Sequence, residues 1–388
     1  MRYALILAAA PLALATALPA YAVDETFETK SGAIRVETFA DGISKPWAIA
    51  FLPGGGLLVT EKQGNLRHVG ADGKVGEPIS GVPEVDTRGQ GGLLDVTLDP
   101  DFEQNRMVYV SYAERGEGGN GTAVARGKLS ADMTALENVE VIFQQMPKEE
   151  STKHFGSRLV FDGQGHLFVT LGERSDAEFR GQAQELTSHL GKIVRINPDG
   201  SVPDDNPFVG QGDAKPEIYA LGVRNVQAAA MHPESGKLWE IEHGPRGGDE
   251  LNIIEPGANY GWPAVTLGID YSGSPIEGSV KQKEGTVDAI HSWTPVIAPS
   301  GMIFYDGDAF AAWKGNLFVG GLASTALVRL ELNGDTVVAE ERLLEPLGLR
   351  IRDVAQGPDG AIYVATDESN GEILKISPAD SQATGAVE

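Results

Sequence analysis

The chain of 388 residues contains no cysteine. That excludes disulfides, cysteine-ligated zinc and iron–sulfur clusters, so any metal or cofactor must be held by oxygen and nitrogen groups. Disulfides chiefly support exported domains too small for a sufficient core, and this chain is long enough to do without them. Basic residues are scarce: 31 Lys and Arg stand against 55 Asp and Glu, for a net charge of −24. A surface of that sign repels nucleic acid and anionic membranes. Beyond the N-terminus no run of ~20 apolar residues occurs, so no membrane insertion is expected. Long amphipathic helical patterns are also missing.

What is present begins with a processing signal. Arg2 gives a short positive start, residues 3–18 are apolar, and Ala20-Tyr21-Ala22 is an A-x-A cleavage site. Residues 1–22 therefore read as a signal peptide cut near Ala22, which leaves an exported, periplasmic protein one charge more acidic. With no cysteine after the leader, a lipoprotein anchor is excluded. Residues 379–388 read as a disordered tail.

Residues 23–378 read as one domain built from a repeated unit. An apolar strand, a Gly- or Asp-containing turn and a second strand rich in Leu and Val recur six times. The copies lie at 47–51 and 57–59, 94–98 and 108–110, 159–161 and 167–169, 228–231 and 238–241, 301–304 and 317–319, and 354–356 and 362–364. A third strand follows several of them, at 66–69, 192–196, 327–332 and 373–376. Short strands repeating about every 45–80 residues predict radial repetition, an all-β six-bladed β-propeller of four-stranded antiparallel blades. A parallel α/β fold would need crossover helices. The strand at 34–39 is placed to pair with the last copy and close the ring without a disulfide. Copies three to five carry the long insertions, expected on blade-connecting loops where sites are built.

The most informative stretch is 242–263, read as directly following the inner strand of the fourth copy, where acids, an Arg and a His are packed among turn residues. Gly244, Pro245, Gly247 and Gly248 rule out a regular helix, and the segment is expected to loop with its carbonyls turned outward. Carbonyls and carboxylates together suit a hard cation such as calcium. Four further segments precede the first strand of a copy: 89–92, 153–156, 222–225 and 349–353. In a propeller, equivalent positions converge on one face. Gln90, His154, Arg224, Asn225, Arg350 and Arg352 are thus expected to surround a common centre. Arg350 and Arg352 alternate and so share a face, where they would repel unless an anion lies between them. Several arginines in so acidic a chain suggest an anionic ligand with planar oxygens. A His with an ordinary pKa near ~6.5 suits a base, and Glu173, after the next strand, is placed to orient His154. The set fits a polycarboxylate redox cofactor held with calcium. A calcium-dependent propeller hydrolase such as a lactonase, or a non-catalytic propeller binding a sugar or a partner, remains open at this level.

The segments 242–263, 154–156 with 172–173, 222–225 and 350–353 resemble the soluble pyrroloquinoline quinone (PQQ)-dependent sugar dehydrogenases. Within that family the likeness is to the periplasmic aldose sugar dehydrogenase branch, over roughly residues 42–378. The resemblance implies a six-bladed propeller that uses PQQ and Ca2+ to oxidise aldoses at the anomeric hydroxyl to lactones, with electrons passed to an external acceptor. It implies that His154 is the catalytic base, Glu173 the acid orienting it, and Arg224 the residue at the reactive carbonyls, with Asn225 beside it. Gln90, Tyr271, Leu322, Ala323, Arg350 and Arg352 would complete the cofactor site. Gly244 and Pro245 would supply carbonyls to the calcium beside the quinone, with Asp249 as supporting acid, and Glu250 with the carbonyl of Tyr260 would form a second calcium site. Three positions depart from the glucose enzymes of the family, the first being Glu173, which stands where they carry the orienting Asp. Ala323 stands where they carry a Lys that grips the quinone, and His243 where they carry Gln.

Overall fold

The computed structural model describes residues 22–379. The expected leader and tail fall outside them, apart from Ala22 and Ala379, the latter donating its N–H to Ala33 O at 3.0 Å. Six antiparallel sheets are arranged in sequence order. Each opens with an inner strand: Pro46–Phe51, Leu93–Leu98, Gly156–Phe161, Val226–Met231, Pro299–Phe304 and Ile351–Gln356. Each inner strand packs on the next, and the sixth packs on the first, closing a ring around a central axis. The molecule is a six-bladed β-propeller, as the repeats predict.

Burial follows radial position. In five of the six inner strands the first four residues are buried and the last two half-buried. The second strands of blades one, three, four, five and six are buried at every position, because each is covered on both faces by neighbouring blades. Such strands open on apolar pairs or triplets rather than strict alternation, which is why the sequence pattern shows them.

The ring is closed by hydrogen bonds between the two ends of the chain. Gly32–Ile43 pairs with Gly371–Pro378, Val36 opposite Ile376, as expected for residues 34–39. Asp24–Thr29 then pairs outside it, so blade six has a fifth strand that the four-stranded expectation does not include.

Every inner strand shifts register against its partner near its entry end. Such bulges raise the local twist and re-aim side chains. All six occur at the same end, so the loops preceding the inner strands splay onto one face.

Across the channel below that face lies Arg158. Its guanidinium donates to Asp95 Oδ1 (2.8 Å), the Gln227 carbonyl (2.9 Å) and the Ser300 carbonyl (3.1 Å), and lies 3.0 Å from Asp353 Oδ1. It also stacks 4.7 Å from the Trp47 ring. One blade-three side chain therefore touches the inner strands of the other five.

Three details differ from the sequence reading. Residues 242–263 are two loops around a strand, Asp249–Ile254, the third of blade four; the Gly/Pro clusters mask the apolar positions between them. The stretch follows the second strand, Leu238–Glu242, rather than the inner one. The long insertions belong to blades three and four, at 171–192, 196–218 and 254–291, whereas blade five spans only 304–317 between its first two strands.

Candidate active site

The loops before the inner strands enclose a pocket of about 360 Å³. Gln90, His154, Arg224, Asn225, Arg350 and Arg352 all line it, joined by Tyr271 and Leu322. Residues at the entry to four of the inner strands thus meet, as the equivalence of loop positions predicts.

His154 is fixed on every side but one. Its N–H donates to Gln90 Oε1 (2.8 Å), its carbonyl accepts from Arg174 Nη1 (3.3 Å), and Nδ1 bonds to Glu173 Oε2 (2.7 Å). Its backbone is left-handed, with φ 49, a conformation that costs a non-glycine residue roughly 1–2 kcal/mol and that these partners hold in place. Gly172 permits this approach, since a Cβ there would lie 2.0 Å from the His154 carbonyl oxygen. Glu173 is wholly buried and also accepts the Ser175 N–H at 2.6 Å. Arg174, which the sequence reading missed, ties the two loops together. It bonds to Ser151 O and Asn120 Oδ1 and stacks 3.7 Å from the Phe155 ring.

Burial pushes the His154 pKa below its usual value, Glu173 opposing and Arg224 assisting. Burial would raise Glu173, but His154 and Arg224 hold its carboxyl below the ordinary range. The pair is a neutral imidazole donating Nδ1–H to an ionised carboxylate, which leaves Nε2 with its lone pair on the pocket side. In the cofactor-free protein the His154 ring is expected to titrate below ~6.5, followed by NMR of the imidazole; a value above 7 contradicts this assignment.

Arg224 joins the His154 loop to residues 243–248. Its N–H donates to Glu242, its carbonyl accepts from the Glu173 N–H (3.0 Å), and Nη1 donates to the carbonyls of His243 (2.7 Å) and Gly244 (2.8 Å). Its guanidinium lies 5.0 Å from the Trp262 ring. Asn225 Oδ1 accepts the Gly156 N–H at 3.0 Å. The 243–248 turn is too tight for a side chain at Gly244, whose Cβ would meet Gly248 O at 2.1 Å. Asp249 clasps it, accepting from Gly244 N on one oxygen and from Ile297 N and Ala298 N on the other, each at 2.8 Å.

Arg350 and Arg352 do face one way, but the anion between them is the protein's own Asp367. Arg350 Nη2 lies 2.8 Å and Arg352 Nη2 3.1 Å from Asp367 Oδ2. Arg350 also donates to Leu322 O (3.1 Å) and Arg352 to Gln227 Oε1 (3.0 Å). No local sequence signal connects Asp367 to them. Tyr271 stands at the rim, 63% exposed. Ala323 is not among the residues that line the pocket; it is exposed and its N–H donates to Ile297 O.

Beneath the pocket, a second, small cavity is bordered by Glu242, Gly244, Pro245, Glu250 and Tyr260. Glu242 and Glu250 are paired across two strands. Burial pushes Glu250 up to about 7, and raises both Glu240 and Glu242 well above the carboxylate range. The carbonyls of Pro245 and Tyr260 accept no hydrogen bond among the described residues. Among those residues no group of three or more His, Asp or Glu is arranged to hold a metal ion, so a cation here would depend on these carbonyls. Under-partnered acids beside free carbonyls suit a hard cation. Glu240 and Glu242 were not singled out from the sequence, since nothing local marks them as buried.

A family model described as glucose/sorbosone dehydrogenase matches residues 43–375. An aldose sugar dehydrogenase of Escherichia coli is 48% identical over 348 residues, covering 89% of this chain and 93% of that one. The crystal structure of the soluble aldose sugar dehydrogenase from Escherichia coli in the apo-form aligns with a TM-score of 0.86 at 48% identity, over 89% of this chain and 100% of that one. The PQQ-bound form of an aldose sugar dehydrogenase from Streptomyces coelicolor aligns with a TM-score of 0.74 at 29% identity, over 90% and 100% of the two chains.

Proposed function

This chain belongs to the glucose/sorbosone dehydrogenase family and is an oxidoreductase, and on that footing we propose that it oxidises aldose sugars at the anomeric hydroxyl to the lactone, with PQQ and Ca2+, passing electrons to an external acceptor. The observation that carries the reading is His154, held by Glu173 at 2.7 Å with Nε2 free, on the wall of a pocket rich in Arg.

His154 Nε2 takes the proton of the sugar hydroxyl. Nδ1–H keeps its bond to Glu173, whose negative charge stabilises the imidazolium that forms. Gln90 and Arg174 keep the imidazole from turning by holding its backbone on both sides. Arg224 would stand at the reactive carbonyls of the quinone, and Arg350 and Arg352 at its carboxylates. When bound, the quinone supplies the two-electron sink of the oxidation. The residues present fit such a group: Arg224 Nε is buried without a hydrogen-bond partner, and the pocket wall holds more cations than its one acid, Asp367, offsets. Gly244 and Pro245 would hold one calcium through their carbonyls, and Glu250 with the Tyr260 carbonyl a second. No helix among the described residues is long and apolar enough to cross a membrane; the reading of a periplasmic location rests on the A-x-A signal.

The deciding experiment is dye reduction by the apo-protein reconstituted with PQQ and calcium, across a panel of aldoses. Lactone opening without added quinone would instead identify a hydrolase, and silence in both assays with no quinone bound would identify a binding protein. The calcium assignment has its own test. At one hundred times its Kd, a cation binding only the folded state stabilises by ~2.7 kcal/mol. Calcium should raise the unfolding midpoint and a chelator reverse it, while Glu250→Gln should abolish the part due to the second site. A midpoint indifferent to calcium refutes both sites.

A further inference from the structure

The blade-one edge of the pocket carries two lysines that no carboxylate answers. Lys45 immediately precedes the inner strand Pro46–Phe51, and Lys62 immediately follows the second strand Leu57–Glu61. The Lys62 N–H donates to Lys45 O at 3.1 Å, so the two backbones adjoin. Both side chains line the pocket, with Trp47 beside them.

The other cations there have partners. Arg350 and Arg352 share Asp367, and Arg224 has two carbonyls with Glu173 at 3.9 Å. Lys62 Nζ bonds only to the Gly89 carbonyl. Neither lysine has a carboxylate within 4.0 Å among the described residues. Burial, and then repulsion from Lys45 and Arg352, hold the Lys62 pKa below its usual value, with Asp367 only partly opposing. In a chain with 55 acids, positive charge is here left open toward a cavity. Neighbouring cations repel unless an anion joins them.

We propose that Lys45 and Lys62 form a carboxylate-binding site on the blade-one side of the pocket. The pair takes a planar carboxylate through charge-assisted N–H···O bonds, beside the arginines of the adjoining blade six. The inference rests on the reading of this pocket as a ligand site; the carboxylate belongs either to the quinone or to an acidic sugar.

The test uses full-length protein without cofactor, as wild type, Lys62→Gln, Lys45→Gln and the double variant. Each is titrated by calorimetry with PQQ and, separately, with trimesate, a planar tricarboxylate without redox chemistry. After reconstitution, KM is compared for glucuronate and glucose. Hydrogen bonds to charged groups contribute ~1.5–3 kcal/mol, so Lys62→Gln should weaken anion binding by roughly tenfold or more, and the double variant further. Loss of PQQ affinity assigns the carboxylate to the cofactor; a raised KM for glucuronate alone assigns it to the substrate. If wild type binds trimesate and the lysine variants do not, while PQQ is neither bound nor reduced, the lysine site stands and the quinone reading falls. Unchanged affinities together with an unchanged glucuronate KM overturn the site, as does a wild type that binds neither anion and shows no preference between the sugars.

Discussion

His154→Gln is expected to lower kcat by ~10²–10⁴-fold, the range in which a positioned acid–base group contributes, while quinone affinity stays within a few-fold. The separation follows from geometry. His154 is not among the cationic groups placed to hold a carboxylate, and its ring is neutral because burial and Arg224 disfavour its charge. Gln preserves most of the volume and can still bond to Glu173, so the loop should keep its shape. The backbone is held independently of the ring, by Gln90 on one side and Arg174 on the other. Stopped-flow reduction of the bound quinone by excess aldose, with quinone titration as the control, makes the measurement. Near-normal reduction in the variant would remove His154 from the role of base.

The second large effect is on stability. Arg158→Met should destabilise the protein by about 3–5 kcal/mol, the usual result of removing one partner from a buried ion cluster. Asp95 and Asp353 are both buried at the axis, and Arg158 is the cation they share. Even with Arg158 present, burial and then Asp353 leave the Asp95 pKa raised to about 6, and burial raises Asp353 as well. An acid whose folded pKa exceeds its unfolded value of ~3.9 binds more protons in the folded state, so its contribution to stability declines as pH rises through that interval. Without the guanidinium both acids move higher and the interval extends upward. The variant's deficit should therefore be larger at pH 8 than at pH 5. Urea unfolding midpoints at the two pH values test this; a deficit below ~1 kcal/mol, or one independent of pH, contradicts the view of Arg158 as the charged hub of the ring.

Much of this architecture is legible in the sequence because it is periodic. The second strands lie between two blades and so are mostly apolar, and six copies of the unit with turn signals specify the propeller. The closing strand at 34–39 is readable as well, since it lies ahead of the first copy and its apolar positions need a partner, which the last copy supplies. Positions equivalent in the repeat are equivalent in space, so Gln90, His154, Arg224, Asn225, Arg350 and Arg352 could be placed around one pocket before any contact was known.

Contacts between non-equivalent positions were not legible. Asp367 joins Arg350 and Arg352 from across a hairpin, and Arg158 reaches Asp95 and Asp353 across the channel, with no shared local pattern to mark either. Ala323 illustrates the opposite case: its sequence position suggests the pocket, while the structure leaves it exposed outside the lining. The strand Asp249–Ile254 was hidden because glycine and proline are strong local signals and outweigh a short apolar alternation.

The sequence by itself determined the number of blades, the closure of the ring and which loops share a face, because burial between repeated layers imposes a pattern on every copy. Only the tertiary structure decided which charges are already neutralised within the chain and which, Lys45 and Lys62 above all, are left open to a ligand. Charge compensation depends on distances of a few ångströms between residues far apart in the chain, and no periodicity records those distances.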